Sequence, residues 1–325
     1  MIHITLYWLV LASGGGDTLE IQGKEKKMKW YQLRKKAIKQ PLEPGSQEWM
    51  KKITASKVAA ILKVSPYTSK YALWHTMKGN IEGQSPTHEV AQRGHILEDA
   101  VAQWYTQQHP EYSVLNPHGL AWSREVITAT PDRIIVIPEA GKKSPEVVAL
   151  LECKTAMNGA EWGASGSGAD GIPMGYYAQV QAQMFCTGIK KCVVAALVAM
   201  QFREYVIEYD EQYVDRMRLE CSEFAASLES GVEPNFSEEE GDMSIYEAVR
   251  ELHPEIDDAL VIASDDATVR IERFQRIKKL YKQTEAIAKN WASVEMGRAA
   301  ELEYNGRTIA KRQARGQGKP FVVFK

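Results

Sequence analysis

The sequence predicts an α/β protein with a helical C-terminal extension. Three observations carry this. First, Glu48–Gly79 and residues 88–109 show helical spacing, the latter through Val90, Gly94, Leu97, Val101 and Trp104 at steps of three and four. Second, short runs rich in β-branched residues at 133–137, 147–152, 192–199 and 203–209 are bounded by Pro, Gly and charged residues. Third, helical segments at 176–187 and 211–228 fall between and after those runs, giving the order helix, strand, strand, helix, strand, strand, helix.

Each element has a local cause. Thr54 and Ser56 stand where a helix over Lys57–Leu62 begins, and Ser65-Pro66 separates it from the segment holding Tyr71, Leu73, Trp74 and Met77. Pro131 opens the strand at 133–137 and Pro138 closes it. Pairing that strand with 147–152 as a hairpin centred near Lys142 sets Asp132 opposite Glu152. The Gly-rich stretch 158–175 reads as a mobile loop at the same sheet end, without a phosphate-loop signature.

Beyond Pro234-Asn235 a second region begins. There Ile277, Leu280, Thr284, Ile287, Trp291 and Val294 form a seam on one long helix, and residues 302–325 read as a small hairpin with Lys311, Arg312, Arg315 and Lys319 about its turn. The expected organisation is a basic leader over 1–44, a core over 45–236 and an accessory region over 237–325.

Composition narrows the classes. The 325 residues, 44% hydrophobic and 25% charged, exclude disordered and many-span membrane proteins. The net charge of -2 conceals eight basic residues against one acidic between Ile21 and Gln40. The apolar run at residues 1–11 is too short to span a membrane and lacks a preceding Lys or Arg, so the chain is expected in the cytoplasm, with Met28 an alternative beginning. Cys153, Cys186, Cys192 and Cys221 lack zinc or disulfide spacing and are expected as reduced thiols.

The chemistry-bearing group is Asp132, Glu152 and Lys154. Two carboxylates and the Cys153 backbone carbonyl at one sheet end offer hard oxygen donors suited to Mg2+ or Mn2+. Lys154, two residues after Glu152, points to the same face of its strand. A metal and an ammonium group beside it are what phosphodiester hydrolysis requires. Taken alone, a short D…E-x-K match is also the mark of an ordinary salt-bridged hairpin end.

Ile53-Thr54-Ala55-Ser56, Arg93-Gly94 with Glu98, Pro131-Asp132, Glu152-Cys153-Lys154 and Ala178-Gln179-Val180-Gln181, in this order, resemble the phage lambda exonuclease and YqaJ viral recombinase family of the PD-(D/E)xK nucleases. The resemblance implies a restriction-endonuclease-like core, a central mixed sheet flanked by helices. It implies a Mg2+-dependent 5′→3′ exonuclease acting on ends of double-stranded DNA in phage or prophage recombination, two ions per site, a single-strand annealing protein as partner and a homo-oligomer, a ring trimer by family analogy. By the same resemblance Asp132, Glu152 and the Cys153 carbonyl hold metal, Glu98 reaches it directly or through water, Lys154 and Gln179 stand at the nucleophile, and Ser56 lies near the terminal phosphate. Thr54, Arg93 and Gln181 complete the expected DNA contacts. The family's arginine before Thr-Ala-Ser is replaced here by Lys51 and Lys52, which lack its bidentate fork, with Arg34 another substitute. The alternatives are an endonuclease on the same fold and an inactive DNA-binding or assembly protein.

Overall fold

A computed structural model of the chain describes residues 28–38, 46–82, 88–138, 141, 144–235 and 242–325, and the chain divides into two units, 1–254 and 255–325. The apolar run at 1–11 and the acidic cluster Glu238, Glu239 and Glu240 lie outside the described residues.

In the first unit the elements run α1 (Trp30–Lys35), α2 (Gln47–Lys51), β1 (Ile53–Thr54), α3 (Ala55–Ile61), α4 (Lys70–Lys78), α5 (His88–Gln108), β2 (Ser113–Leu115), β3 (Trp122–Arg124), β4 (Ile127–Ala129), β5 (Arg133–Ile137), β6 (Glu146–Ala156), α6 (Met174–Thr187), β7 (Lys191–Val198), β8 (Gln201–Glu208), α7 (Glu211–Ser230) and α8 (Met243–Leu252). The central sheet has the order β2-β5-β6-β7-β8, antiparallel except for the parallel β6–β7 pair. That parallel pair requires a crossover, which α6 supplies.

Alternation along the strands decides what each sheet face meets. Ile134, Leu150, Val194 and Ala196 pack in one core with residues of α3, α6 and α7, whereas Ile135, Leu151, Cys153, Val193 and Ala195 pack with Val101, Ala102 and Tyr105 of α5. The expected β5–β6 register holds at Arg133↔Leu151, Ile134↔Leu150 and Ile135↔Ala149, then shifts by one residue before Val136↔Val147.

Several expectations change. Residues 28–38 are no leader: Leu33 is in the main core, its carbonyl accepts from Trp122 Nε1 at 3.0 Å, and Met28 accepts from Val147 N. A second small sheet, β1-β4-β3, escaped the sequence because its strands are two or three residues long and β1 pairs with a segment 74 positions away, Ile53↔Ile127. The accessory region begins later than 237, since Ile245 and Ala248 of α8 pack with Tyr71, Ala72 and Ile81. The Gly-rich stretch, exposed over much of its length, is packed closely at Gly163 and Gly171. A Cβ on Gly171 would lie 2.1 Å from Ser167 Oγ and 2.6 Å from the Tyr205 ring, and Arg203 and Tyr205 both donate to the Gly163 carbonyl. Trp74 and Trp122 are core residues, whereas Trp104 and Trp291 are exposed.

The second unit comprises α9 (Asp265–Met296) and the strands β9 (Glu301–Tyr304), β10 (Arg307–Gln313) and β11 (Phe321–Phe324), a three-stranded sheet rather than a hairpin. Ala292 and Met296 pack against Ala310, Val322 and Leu302. The seam residues Ile277, Leu280, Ile287, Trp291 and Val294 are exposed. Among the described residues no helix is long and apolar enough to cross a membrane.

Candidate active site

Asp132 immediately precedes β5 and Glu152 sits in β6. Continuing the observed register by one position sets them side by side on the sheet face that α6 covers. Asp132 Oδ2 accepts from the Cys153 backbone N–H at 2.8 Å, which fixes its carboxylate against the neighbouring strand. Lys154 follows on the same face, its Nζ 2.5 Å from Glu152 Oε1.

Glu152 is 1% exposed. A carboxylate so buried is tenable only when well supplied with donors. Lys154 and Gln179 Nε2, each at 2.5 Å, share Oε1, and Gln183 Nε2 reaches Oε2 at 2.7 Å. Gln179 also accepts from Lys154 Nζ at 3.1 Å, closing a triangle. The two glutamines are four residues apart on α6 and therefore share a helix face.

The electrostatics follow from burial. It disfavours the Lys154 ammonium, but the carboxylates of Glu152 and Asp132 prevail and hold the amine above the usual lysine range. The Asp132 carboxyl is pushed well above the usual carboxylate range, first by burial and then by the charge on Glu152, with Glu98 adding to it and Lys154 opposing. Two carboxylates thus face one lysine at this point, a donor set that suits a hard divalent cation keeping part of its water shell.

Glu98, the helix carboxylate expected at the metal directly or through water, is held by Arg133. Arg133, on the opposite strand face from Asp132, is buried beneath α5 and donates through Nη1 to Glu98 Oε1 and to the Asp132 carbonyl, each at 2.6 Å, and through Nη2 to Asp99 Oδ1. No group of three or more His, Cys, Asp and Glu side chains gathers as a metal cluster among the described residues. His95 is exposed on α5.

An open cleft of about 730 Å3 adjoins this group, with Gln179 and Tyr176 on one wall and Ser56, Arg93, Tyr67 and Asn158 around it. Ser56 is exposed there, and its hydroxyl lies 3.0 Å from that of the buried Thr54, which holds the helix N-cap position without a capping bond. Lys51 and Lys52 are exposed at the end of α2. Beneath them Lys57 is buried, donating to the carbonyls of Trp49, Met50 and Lys52, and burial lowers its pKa to about 8.

Gln181 is corrected. It is fully buried, its Nε2 donating to the Glu208 carbonyl and its Oε1 accepting from Asp210 N, so it joins β8 to α7 and is closed to DNA. Gln183, which the sequence motifs do not single out, belongs to the site. Its signal was the four-residue step from Gln179.

A mixed sheet that brings Pro-Asp and Glu-x-Lys together at adjoining strand ends, with a glutamine-bearing helix above them, defines a core of the PD-(D/E)xK type. Residues 29–190 match the sequence model of the YqaJ-like viral recombinase domain, and through this domain the chain belongs to that family. Among solved structures, the chain is similar to an alkaline exonuclease, LHK-Exo, from Laribacter hongkongensis, with 20% identity over 58% of this chain and 95% of that one and a TM-score of 0.39. LHK-Exo in complex with dAMP is similar at 21% identity over 57% and 92%, TM-score 0.38. A phage related exonuclease from Haemophilus somnus 129PT is similar at 14% identity over 55% and 96%, TM-score 0.37. No curated protein matches the chain.

Proposed function

We propose that the chain is a divalent-metal-dependent deoxyribonuclease that degrades one strand of linear duplex DNA from its 5′ end, leaving 3′ tails for a single-strand annealing protein. The observation that carries the reading is the convergence of Asp132, Glu152, Lys154 and Gln179 beside an open cleft, in a domain of the viral recombinase family.

A bound Mg2+ or Mn2+ would polarise the scissile phosphoryl group and offset its growing charge. Asp132 and Glu152 would hold the ion, with the Cys153 carbonyl beside them. Lys154, hydrogen-bonded to Glu152 and Gln179, positions and activates the attacking water and stabilises the pentavalent phosphate. Gln179 fixes the Lys154 ammonium relative to Glu152. Arg133 keeps Glu98 beside α5 and braces the Asp132 backbone. Ser56 and Arg93 receive the DNA end in the cleft, with Thr54 bracing the Ser56 hydroxyl from beneath, and Lys51 and Lys52 supply charge for its 5′-phosphate.

The test is Mg2+-dependent nucleotide release from linear duplexes labelled at either end, with wild type and Lys154→Ala. Early release of the 5′ label by wild type, lost in the variant by about 100-fold or more, is the expected result. Undiminished release by Lys154→Ala removes the catalytic assignment. Cleavage of closed circular duplexes converts the reading to an endonuclease.

A further inference from the structure

We infer that residues 255–325 form a second DNA-binding element, a tether that grips the phosphate backbone of duplex DNA through the lysine face of α9. The inference goes beyond the proposed catalytic site and rests on charge. Residues 255–325 carry fourteen Lys and Arg against ten Asp and Glu, while residues 1–254 carry twenty-six against thirty-two. The part holding the catalytic carboxylates is therefore net acidic, and the electrostatic attraction for a polyanion is concentrated in the other unit.

The geometry organises this charge. α9 is 32 residues long, about 48 Å at the helical rise. At 3.6 residues per turn, Lys278, Lys279, Lys282 and Lys289 fall within an arc of roughly 100°, spread over about 16 Å of axis. All four are exposed. Lys289 pairs with Glu285 at 2.7 Å, an exposed contact of the kind that is worth a few tenths of a kcal/mol and yields readily to phosphate. The apolar seam of Ile277, Leu280, Ile287, Trp291 and Val294 occupies the other side of the helix, so a duplex on the lysine face leaves it uncovered.

Five acidic residues (Glu255, Asp257, Asp258, Asp265 and Asp266) precede the basic stretch, two of them in the first turn of α9, where the helix dipole favours them. They are thus segregated from the lysine face. In the adjoining sheet, Arg307 and the turn residues Arg315 and Lys319 add exposed cations.

The experiment measures binding of the full-length chain to a fluorescent duplex by anisotropy, in EDTA so that no cleavage occurs, across a salt series. The quadruple variant Lys278→Gln/Lys279→Gln/Lys282→Gln/Lys289→Gln is expected to bind at least about tenfold more weakly near 0.1 M salt, with a dependence of log Kd on log salt shallower by about two to four. Its helical circular dichroism and its initial rate on saturating duplex in Mg2+ should match wild type. An affinity change under twofold, or a loss that leaves the salt dependence intact, overturns the tether. Because the binding measurement contains no metal, it stands apart from the nuclease reading: Lys154→Ala should keep wild-type salt dependence even though it releases no nucleotide.

Discussion

Gln183 tests the reasoning most directly, because the structure gives its amide two opposed effects. Its Nε2 donates to Glu152 Oε2 at 2.7 Å, while its Oε1 is buried without a partner. Replacing it by leucine removes a hydrogen bond to a charged group, about 1.5 to 3 kcal/mol, and also removes an unsatisfied acceptor whose burial opposes folding by about 1 to 3 kcal/mol. Global stability should therefore change little, by about 1 kcal/mol or less in either direction. The effect on the site should be larger. Glu152 would keep the two contacts on Oε1 and lose the one on Oε2, leaving that oxygen free to swing. We expect kcat for nucleotide release from linear duplex to fall about tenfold, or 1.4 kcal/mol, with KM for DNA little changed, since Gln183 is buried away from the cleft. Titration calorimetry with Mn2+ should show weaker binding. Gln183→Glu should be worse than leucine, because it sets a second buried carboxylate against Glu152. Wild-type kcat and metal affinity in Gln183→Leu would refute the view that Glu152 needs all three donors.

Three further outcomes follow from particular contacts. Lys52→Ala should lower activity on 5′-phosphorylated ends more than on 5′-hydroxyl ends in paired rate measurements; equal losses would remove Lys52 from the phosphate. Gly171→Ala should lower stability by about 1 to 3 kcal/mol in urea unfolding, since its Cβ would collide with Ser167 and the Tyr205 ring. Burial brings the Lys57 pKa down to about 8 from an unfolded value of 10.5, so between those pH values the unfolded chain binds more protons and stability rises with pH. Wild type should accordingly gain on Lys57→Met as pH increases from 8 to 9.5 in thermal melts, and a gap independent of pH would show the amine unperturbed.

What the sequence discloses here depends on how local the cause is. Strand β5 begins and ends at the expected residues because prolines mark both sides, and the Asp132–Glu152 pairing follows from one hairpin and the period-two alternation of its strands. Strand β6 runs four residues beyond its expected end, through Cys153 and Lys154 to Ala156, because it goes on pairing with β7 there, a long-range contact that no periodicity encodes. Arg133 shows the same limit. Alternation sends its side chain to the face opposite Asp132, but only the packed position of α5 makes Glu98 and Asp99 its partners. Gln181 and Gln183 are alike in composition and two positions apart; helical phase, read relative to Gln179, separates the structural glutamine from the one at Glu152.

The crossover from β6 through α6 to β7 has a consequence for inheritance. Glu152, Lys154, Gln179 and Gln183 all come from this one stretch, and Asp132 from the strand hydrogen-bonded to its edge. Fifty-two consecutive residues, 132–183, thus contain the whole proposed reacting group. The separate unit 255–325 lies outside them, so its exchange over generations would alter how the chain meets its target while these residues are passed on together.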